Sequence, residues 1–205
     1  MKLTDIQSDA LGELGNIGAA HAATTLSQML MTQIDMDVPK ISIIDIAECY
    51  RCIGEERAAL VAFGIKGEVK GEGFIVLYMP QTSAIRLTNT MLGMTEMDRE
   101  MNEMDQSAII EIGNIMVSAF LDATAELLGI VMLPSPPSLC MDMAHAGIEA
   151  VIAEVAVKTN DVVIFKTNLT SDQYSIDGAL LMFPDPDLIS EILGLLDALT
   201  AQTPV

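Results

Sequence analysis

The chain carries one pattern twice. Asp9, Glu13, Asn16 and Pro39 recur as Ser107, Glu111, Asn114 and Pro137, each pair offset by 98 residues. The neighbouring residues agree: Glu13-Leu14-Gly15-Asn16-Ile17 stands against Glu111-Ile112-Gly113-Asn114-Ile115. An isolated acid and amide on a helix is ordinarily a solvated surface. A pair that returns with the same spacing, the same glycine and the same distant proline marks a duplicated unit. The fold must therefore be one that two similar halves can share. We read one domain over residues 1–205, made of fused repeats at about 1–98 and 99–205, long enough to bury a substantial core.

Periodicity fills in the elements. Residues 4–33 read as one helix, with Leu11, Leu14, Leu26 and Met29 at helical intervals and Thr4 or Asp5 as the N-cap. Gly12, Gly15 and Gly18 each cost about 1 kcal/mol against alanine in a helix interior. Such a stripe predicts close approach of another backbone, with a second helix of the same chain as the nearest candidate. Strands are expected near 40–50, 57–67 and 71–80, then a helix over 81–93 closed by Gly93. The second half repeats the order: a helix over 104–128 stopped by Gly129, strands near 138–145, 161–169 and 174–183, and a final helix over 187–199. Residues 147–157 fit either helix or strand. The class is α+β with a pseudo-two-fold internal repeat: a mainly antiparallel sheet flanked by two long motif-bearing helices plus shorter ones. The sequence leaves open whether the long helices lie side by side or at opposite ends of the sheet.

Several function classes are excluded. A net charge of −19, with ten Lys and Arg, argues against nucleic acid. The acidity suits cationic partners, a saline cytoplasm, or simple solubility for a chain that is 51% hydrophobic. No apolar run reaches the roughly 18 residues of a membrane span. Met1-Lys2-Leu3-Thr4-Asp5 lacks a secretory pattern, so membrane insertion is not expected and the expected compartment is the cytoplasm. Cys49 and Cys52 form a Cys-x-x-Cys with no second ligand pair, and Cys140 stands apart. They read as ordinary buried or half-buried cysteines. The stretch from Gly67 to Gly73 reads as a hairpin connection rather than a nucleotide loop.

At about 100° per residue, Asp9, Glu13 and Asn16 share one helix face, away from Leu11, Gly18 and Met29. Ser107, Glu111, Asn114, Ser118 and Asp122 likewise share a face, with Ile109, Ile112, Met116, Phe120 and Leu127 turned away. A carboxylate can act as a base, bind a metal or pair with a cation. A carboxamide can orient a water without taking its proton. No nucleophile–base grouping accompanies them, and His21 lies off the face. Gly15 and Gly113 serve either helix packing or close approach of a partner, and packing is the favoured reading.

The pattern [Asp/Ser]-x3-Glu-x2-Asn-x22-Pro resembles the signature of the CheC/CheX/FliY phosphatases of chemotaxis. The likeness extends through Gly15-Asn16-Ile17-Gly18-Ala19, Ala22-Ala23-Thr24, the Gly67–Gly73 hairpin with Phe74-Ile75-Val76-Leu77, and Pro184 before the last helix. Two intact copies resemble the double-motif members. The chain ends soon after its final helix, which leaves no room for the flagellar-switch segment of FliY. The resemblance implies hydrolysis of the phospho-aspartate of the response regulator CheY. Asn16 and Asn114 would position the attacking water. Glu13 and Glu111 would pair with a lysine beside the phosphorylated aspartate. Asp9, Ser107, Pro39 and Pro137 complete the motif. It implies no cofactor or metal of the chain's own, Mg²⁺ being held by the regulator. It also implies the deamidase CheD as a regulatory partner and a monomer as the working form. The competing expectation is a non-enzymatic adaptor that binds phosphorylated CheY or sequesters CheD.

Overall fold

A computed structural model describes residues 3–45, 47–48, 51, 53–96, 99–156, 161–171 and 176–202. In chain order the first repeat contributes α1 (Asp5–Leu30), β1 (Asp35–Met36), β2 (Lys40–Asp45), β3 (Arg57–Gly67), β4 (Gly73–Pro80) and α2 (Gln81–Leu92). The second contributes α3 (Glu103–Leu128), β5 (Met132–Pro134), β6 (Ser138–Met143), α4 (Ala144–Ala156), β7 (Asp161–Ser171), β8 (Ile176–Pro184) and α5 (Pro186–Gln202). The α+β class and the antiparallel sheet are as expected. Cys49 and Cys52 lie outside the described residues.

Local chemistry explains where elements start and stop. The long helices begin at equivalent caps, Thr4 and Asn102, each forming a reciprocal capping box with the residue three positions on. α1 ends at Leu30 rather than 33, because Met31 turns left-handed (φ 50°) and its N–H returns to the Ser27 carbonyl. Gly93 and Gly129 close α2 and α3 in the same conformation, as predicted. Of the strand expected over 40–50, β2 supplies Lys40–Asp45; the Asp45 carboxylate then accepts the Ala47 N–H at 2.9 Å, and residues 46, 49 and 50 lie outside the described residues. Of the undecided stretch 147–157, residues 147–156 are helical within α4, and residue 157 lies outside the described residues. Ala144, Ile148 and Ile152 fall on one helix face and are all buried. The short strands β1 and β5 were not anticipated; two or three residues carry no periodicity to read.

The eight strands form one antiparallel sheet in the order β1-β7-β8-β4-β3-β5, with β2 also on β7 and β6 also on β3. The repeats are thus interlocked. β2 of the first pairs with β7 of the second, and β6 of the second pairs with β3 of the first. β4 and β8 meet at the centre, with Val76 opposite Leu181 and Leu77 opposite Leu180. Those four residues surround the pseudo-two-fold axis.

Side chains alternate across the sheet. Val61, Phe63, Ile65, Ile75, Leu77 and Met79 face a layer built from α1, α2, α3 and α5. Leu60, Val76, Tyr78, Leu181 and Phe183 face α4. Among the described residues, α3 is the one helix long and apolar enough to cross a membrane. Here Ile109, Ile112, Met116 and Leu121 of that helix are fully buried against the sheet and α1. Cys140, expected to be buried or half-buried, is exposed on the outer strand β6. Leu127 is also exposed (37%); Leu128 takes the buried place in the last turn of α3.

The two helix starts differ in one respect. Asp105 is fully buried and receives both Nη groups of Arg99, at 2.5 and 2.7 Å. The Thr88 hydroxyl donates to it at 2.6 Å and the Asn102 N–H at 2.8 Å. Its counterpart Gln7 caps Thr4 near the surface. The Arg99 hydrogen bond, helped by Asn102 and Thr88, holds the Asp105 carboxyl well below the usual carboxylate range. Asp105→Ala is expected to destabilise the fold by about 3 kcal/mol, because it removes the carboxylate that pairs with the largely buried Arg99 guanidinium and leaves that cation only the neutral Asn89 and Glu100 carbonyl oxygens among these acceptors. The sign of the pH dependence follows from the depressed value. The contribution is complete above the unfolded carboxylate pKa of about 3.9 and is lost as pH falls below it. Denaturant titrations of both proteins at pH 7 and pH 3 check this; the difference between them should shrink at pH 3.

Candidate functional site

The motif residues occupy the N-terminal halves of α1 and α3. Asp9 and Glu13 are exposed and Asn16 is half-buried; Ser107, Glu111 and Asn114 are all exposed. The opposite faces carry Leu11, Leu14, Ala22 and Leu26 in α1, and Ile109, Ile112 and Met116 in α3, all buried. Each acid and amide therefore lies on a helix face turned from the core, as the spacing predicts. No described residue forms a hydrogen bond or ion pair with the side chain of Glu13, Asn16, Glu111 or Asn114. The Ser107 hydroxyl donates to the Glu103 carbonyl at 2.9 Å, within its own helix.

The glycines divide their work. A Cβ on Gly18 would lie 2.7 Å from the Phe120 ring and 2.9 Å from Thr124 Cγ2. This is the helix–helix approach that the stripe predicts, and it packs α1 directly on α3. Gly12 takes no part, having no neighbour within 4 Å of such an atom. Gly15 meets the motif proline instead: its Cβ would stand 3.1 Å from Pro39 Cγ and 3.7 Å from Phe165 of β7. Gly113 sits over β3, 3.2 Å from Val61 Cγ1 and 3.3 Å from Phe63. Both are packing positions.

These contacts settle the placement that the sequence leaves open. The long helices are neighbours, joined around Gly18 and Phe120. Their motif-bearing halves lie over β7 and β3, on opposite flanks of the sheet. Pro39 is buried beneath the first motif, and Pro137 is half-buried at the start of β6.

Sequence reasoning passes over two features of the site. The first is a pair of polar residues two positions before each motif proline. Asp37 grips β7: its carboxylate accepts the Asn168 N–H at 2.8 Å and the Asn168 side-chain amide at 2.7 Å. Ser135 grips β3: its hydroxyl accepts the Gly64 N–H at 2.8 Å, and its own N–H reaches the Gly64 carbonyl at 2.7 Å. Their common offset of 98 residues is the signal that could have found them. The second feature is an apolar residue on each motif face, one turn ahead of the first motif position. Ile6 is 73% exposed and Met104 is 61% exposed. Apolar side chains on an otherwise polar stripe, at the same offset, were equally legible.

The arrangement offers two helix-borne sites, each with a Glu and an Asn, the first with Asp9 as a second carboxylate, and neither with a nucleophile–base grouping among the described residues. Such a site can complete chemistry housed in a partner.

Comparison with known proteins agrees with this geometry. The CheC-like family matches residues 6–43 and 104–141, the span from motif helix to motif proline in each repeat. "CheY-P phosphatase CheC" of Bacillus subtilis is 29% identical over 94% of both chains. "Putative CheY-P phosphatase CheC1" of Halobacterium salinarum is 28% identical, covering 85% of this chain and 88% of that protein. A crystal structure of Thermotoga maritima FliY has the same fold, with a TM-score of 0.78 at 22% identity, covering 97% of this chain and 99% of that one.

Proposed function

We propose that the chain, which matches the CheC-like family over the motif segment of each repeat, is a phosphatase of a phosphorylated CheY-type receiver domain, working through Glu13 with Asn16 and Glu111 with Asn114. The observation that carries this reading is the recurrence of an acid–amide pair, intact in both repeats, on a helix face with no hydrogen-bond or ion-pair partner among the described residues.

The receiver domain supplies the acyl phosphate and its Mg²⁺, which neutralises charge on the transferring group. This chain supplies position. The Asn16 or Asn114 amide holds one water in line with phosphorus. Water oxygen bonds to phosphorus as the bond to the aspartyl oxygen breaks, leaving a free carboxylate and inorganic phosphate. Fixing one water in this way is an entropic contribution, so the amide needs no basicity. Glu13 or Glu111 pairs with a lysine beside the phosphorylated aspartate and sets the docking angle. Because both sites belong to one chain, a monomer suffices. The reaction takes place in the cytoplasm, and a CheD-type deamidase regulates it.

The test is phosphate release from a receiver domain charged with acetyl phosphate, with and without this protein. Faster release supports the proposal. Equal rates overturn it, and binding without acceleration would identify the adaptor instead.

Ile6 and Met104 stand on the docking stripe and should anchor the receiver surface. Exchanging both for serine is expected to raise the substrate concentration giving half-maximal rate about tenfold, with the maximal rate within about twofold. Saturation kinetics over a range of receiver concentrations distinguish this from a change in the chemical step.

A further inference from the structure

The interlocked strands place each motif proline in the grip of the other repeat. Asp37 and Pro39 belong to the first repeat, yet every polar contact that fixes the segment is made by β7 of the second. The Asp37 N–H donates to the Asn168 carbonyl at 3.1 Å, and the Thr167 hydroxyl donates to the Asp37 carbonyl at 2.6 Å. The carboxylate closes the clasp on the Asn168 backbone and side-chain amides. Two residues on, the Pro39 ring lies against Gly15, between Glu13 and Asn16 in the chain. A pyrrolidine ring has a fixed φ and little freedom to yield. Its position therefore sets the height and tilt of the helix turn that presents Asn16.

Resting on the phosphatase reading above, we propose that Asp37 is a positioning residue of the first site, acting through Pro39 on the turn that carries Glu13 and Asn16. In the second repeat Ser135 holds Gly64 of β3, but Gly113 packs on Val61 and Phe63 rather than on the motif proline, so the coupling through proline is specific to the first site. The Asp37 clasp falls on β7, away from β3, over which the second motif helix lies, so it acts on the first site alone. Loss of the Asp37 clasp lets Pro39 shift and moves the Asn16 amide relative to the water it must hold. Displacements of about 1 Å can cost on the order of 100-fold in rate. Partial slackening of a segment still held by the Thr167 hydroxyl should cost less.

The experiment reads the two sites apart. In an Asn114→Ala background, where the first site alone works, Asp37→Ala is expected to lower the maximal rate of phosphate release about tenfold with little change in half-saturation. In an Asn16→Ala background, where the second site alone works, Asp37→Ala should leave the rate within about twofold. Asp37→Asn keeps an acceptor for the Asn168 N–H and should restore most of the first-site rate. Equal loss in both backgrounds would reveal general destabilisation and overturn the proposal, as would no loss in the first. Amide hydrogen exchange on the same proteins decides the matter apart from turnover. Asp37→Ala should speed exchange over residues 13–17 relative to residues 111–115. An unchanged ratio overturns the clasp even if phosphate is released. A changed ratio in a protein that releases no phosphate would leave the clasp standing and remove only the phosphatase reading.

Discussion

Replacing both Asn16 and Asn114 with alanine is expected to leave a folded protein that no longer speeds phosphate release. Asn114 is exposed and Asn16 half-buried, so neither truncation opens a cavity in the core. Alanine is the better helix former by several tenths of a kcal/mol, so α1 and α3 should not lose stability. The catalytic effect has the opposite sign. Without the amide, water reaches phosphorus by random encounter, and the acceleration should fall by about 100-fold or more, to the receiver's own rate. Phosphate release and thermal unfolding, measured on the same preparation, test both halves of the statement. A double variant that keeps more than about a tenth of the wild-type acceleration would remove the asparagines from the mechanism. Each single variant reports the share of one site. Ser107 in place of Asp9 leaves one charge fewer beside the second pair, so the two shares need not be equal.

Residues 1–98, produced without the rest of the chain, should fail to form a monomeric, cooperatively folded unit. Among the described residues of that half, only β3 and β4 pair with each other. β2 loses β7, the strand it pairs with. β3 loses β6, and β4 loses β8 across the molecular centre. α1 loses the Phe120 and Thr124 side chains that cover Gly18. The result is bare strand edges beside apolar surface, which favours association over folding. Mixing residues 1–98 with residues 99–205 in equal amounts should restore helical circular dichroism and a single thermal transition. A monomeric first half with its own cooperative transition would show that the interlocking is dispensable.

The repeat was the most legible feature, because Glu13, Asn16, Glu111 and Asn114 lie on helix faces turned from the core and return at one fixed spacing. Helix bounds were readable wherever a cap supplied local chemistry, as at Thr4, Gly93 and Gly129. The stripe of glycines foretold the contact between long helices, but only Gly18 makes it. Gly15 and Gly113 look identical in sequence and meet a proline and a strand respectively. Periodicity reports which face is buried and is silent on what buries it. The exchange of β2 and β6 was invisible for the same reason: strand pairing is decided by distant partners. Asp37 and Ser135 went unread because their roles depend on that exchange. The buried Asp105 was hidden as well, since a carboxylate at a helix start ordinarily lies in solvent.

The arrangement of Val76, Leu77, Leu180 and Leu181 about one axis has a bearing on descent. A chain with a single repeat could satisfy every strand of this sheet by trading β2 with a second copy of itself, which is how a symmetric dimer closes. In such an assembly every substitution occurs twice, so a harmful change has no intact counterpart. Joining the copies into one polypeptide ends that constraint. Gln7 and Asp105 now occupy the same place with different chemistry, and so do Asp37 and Ser135. A change that weakens one receiver-facing helix can persist while the other keeps the activity, which gives this architecture room to make its two sites unequal.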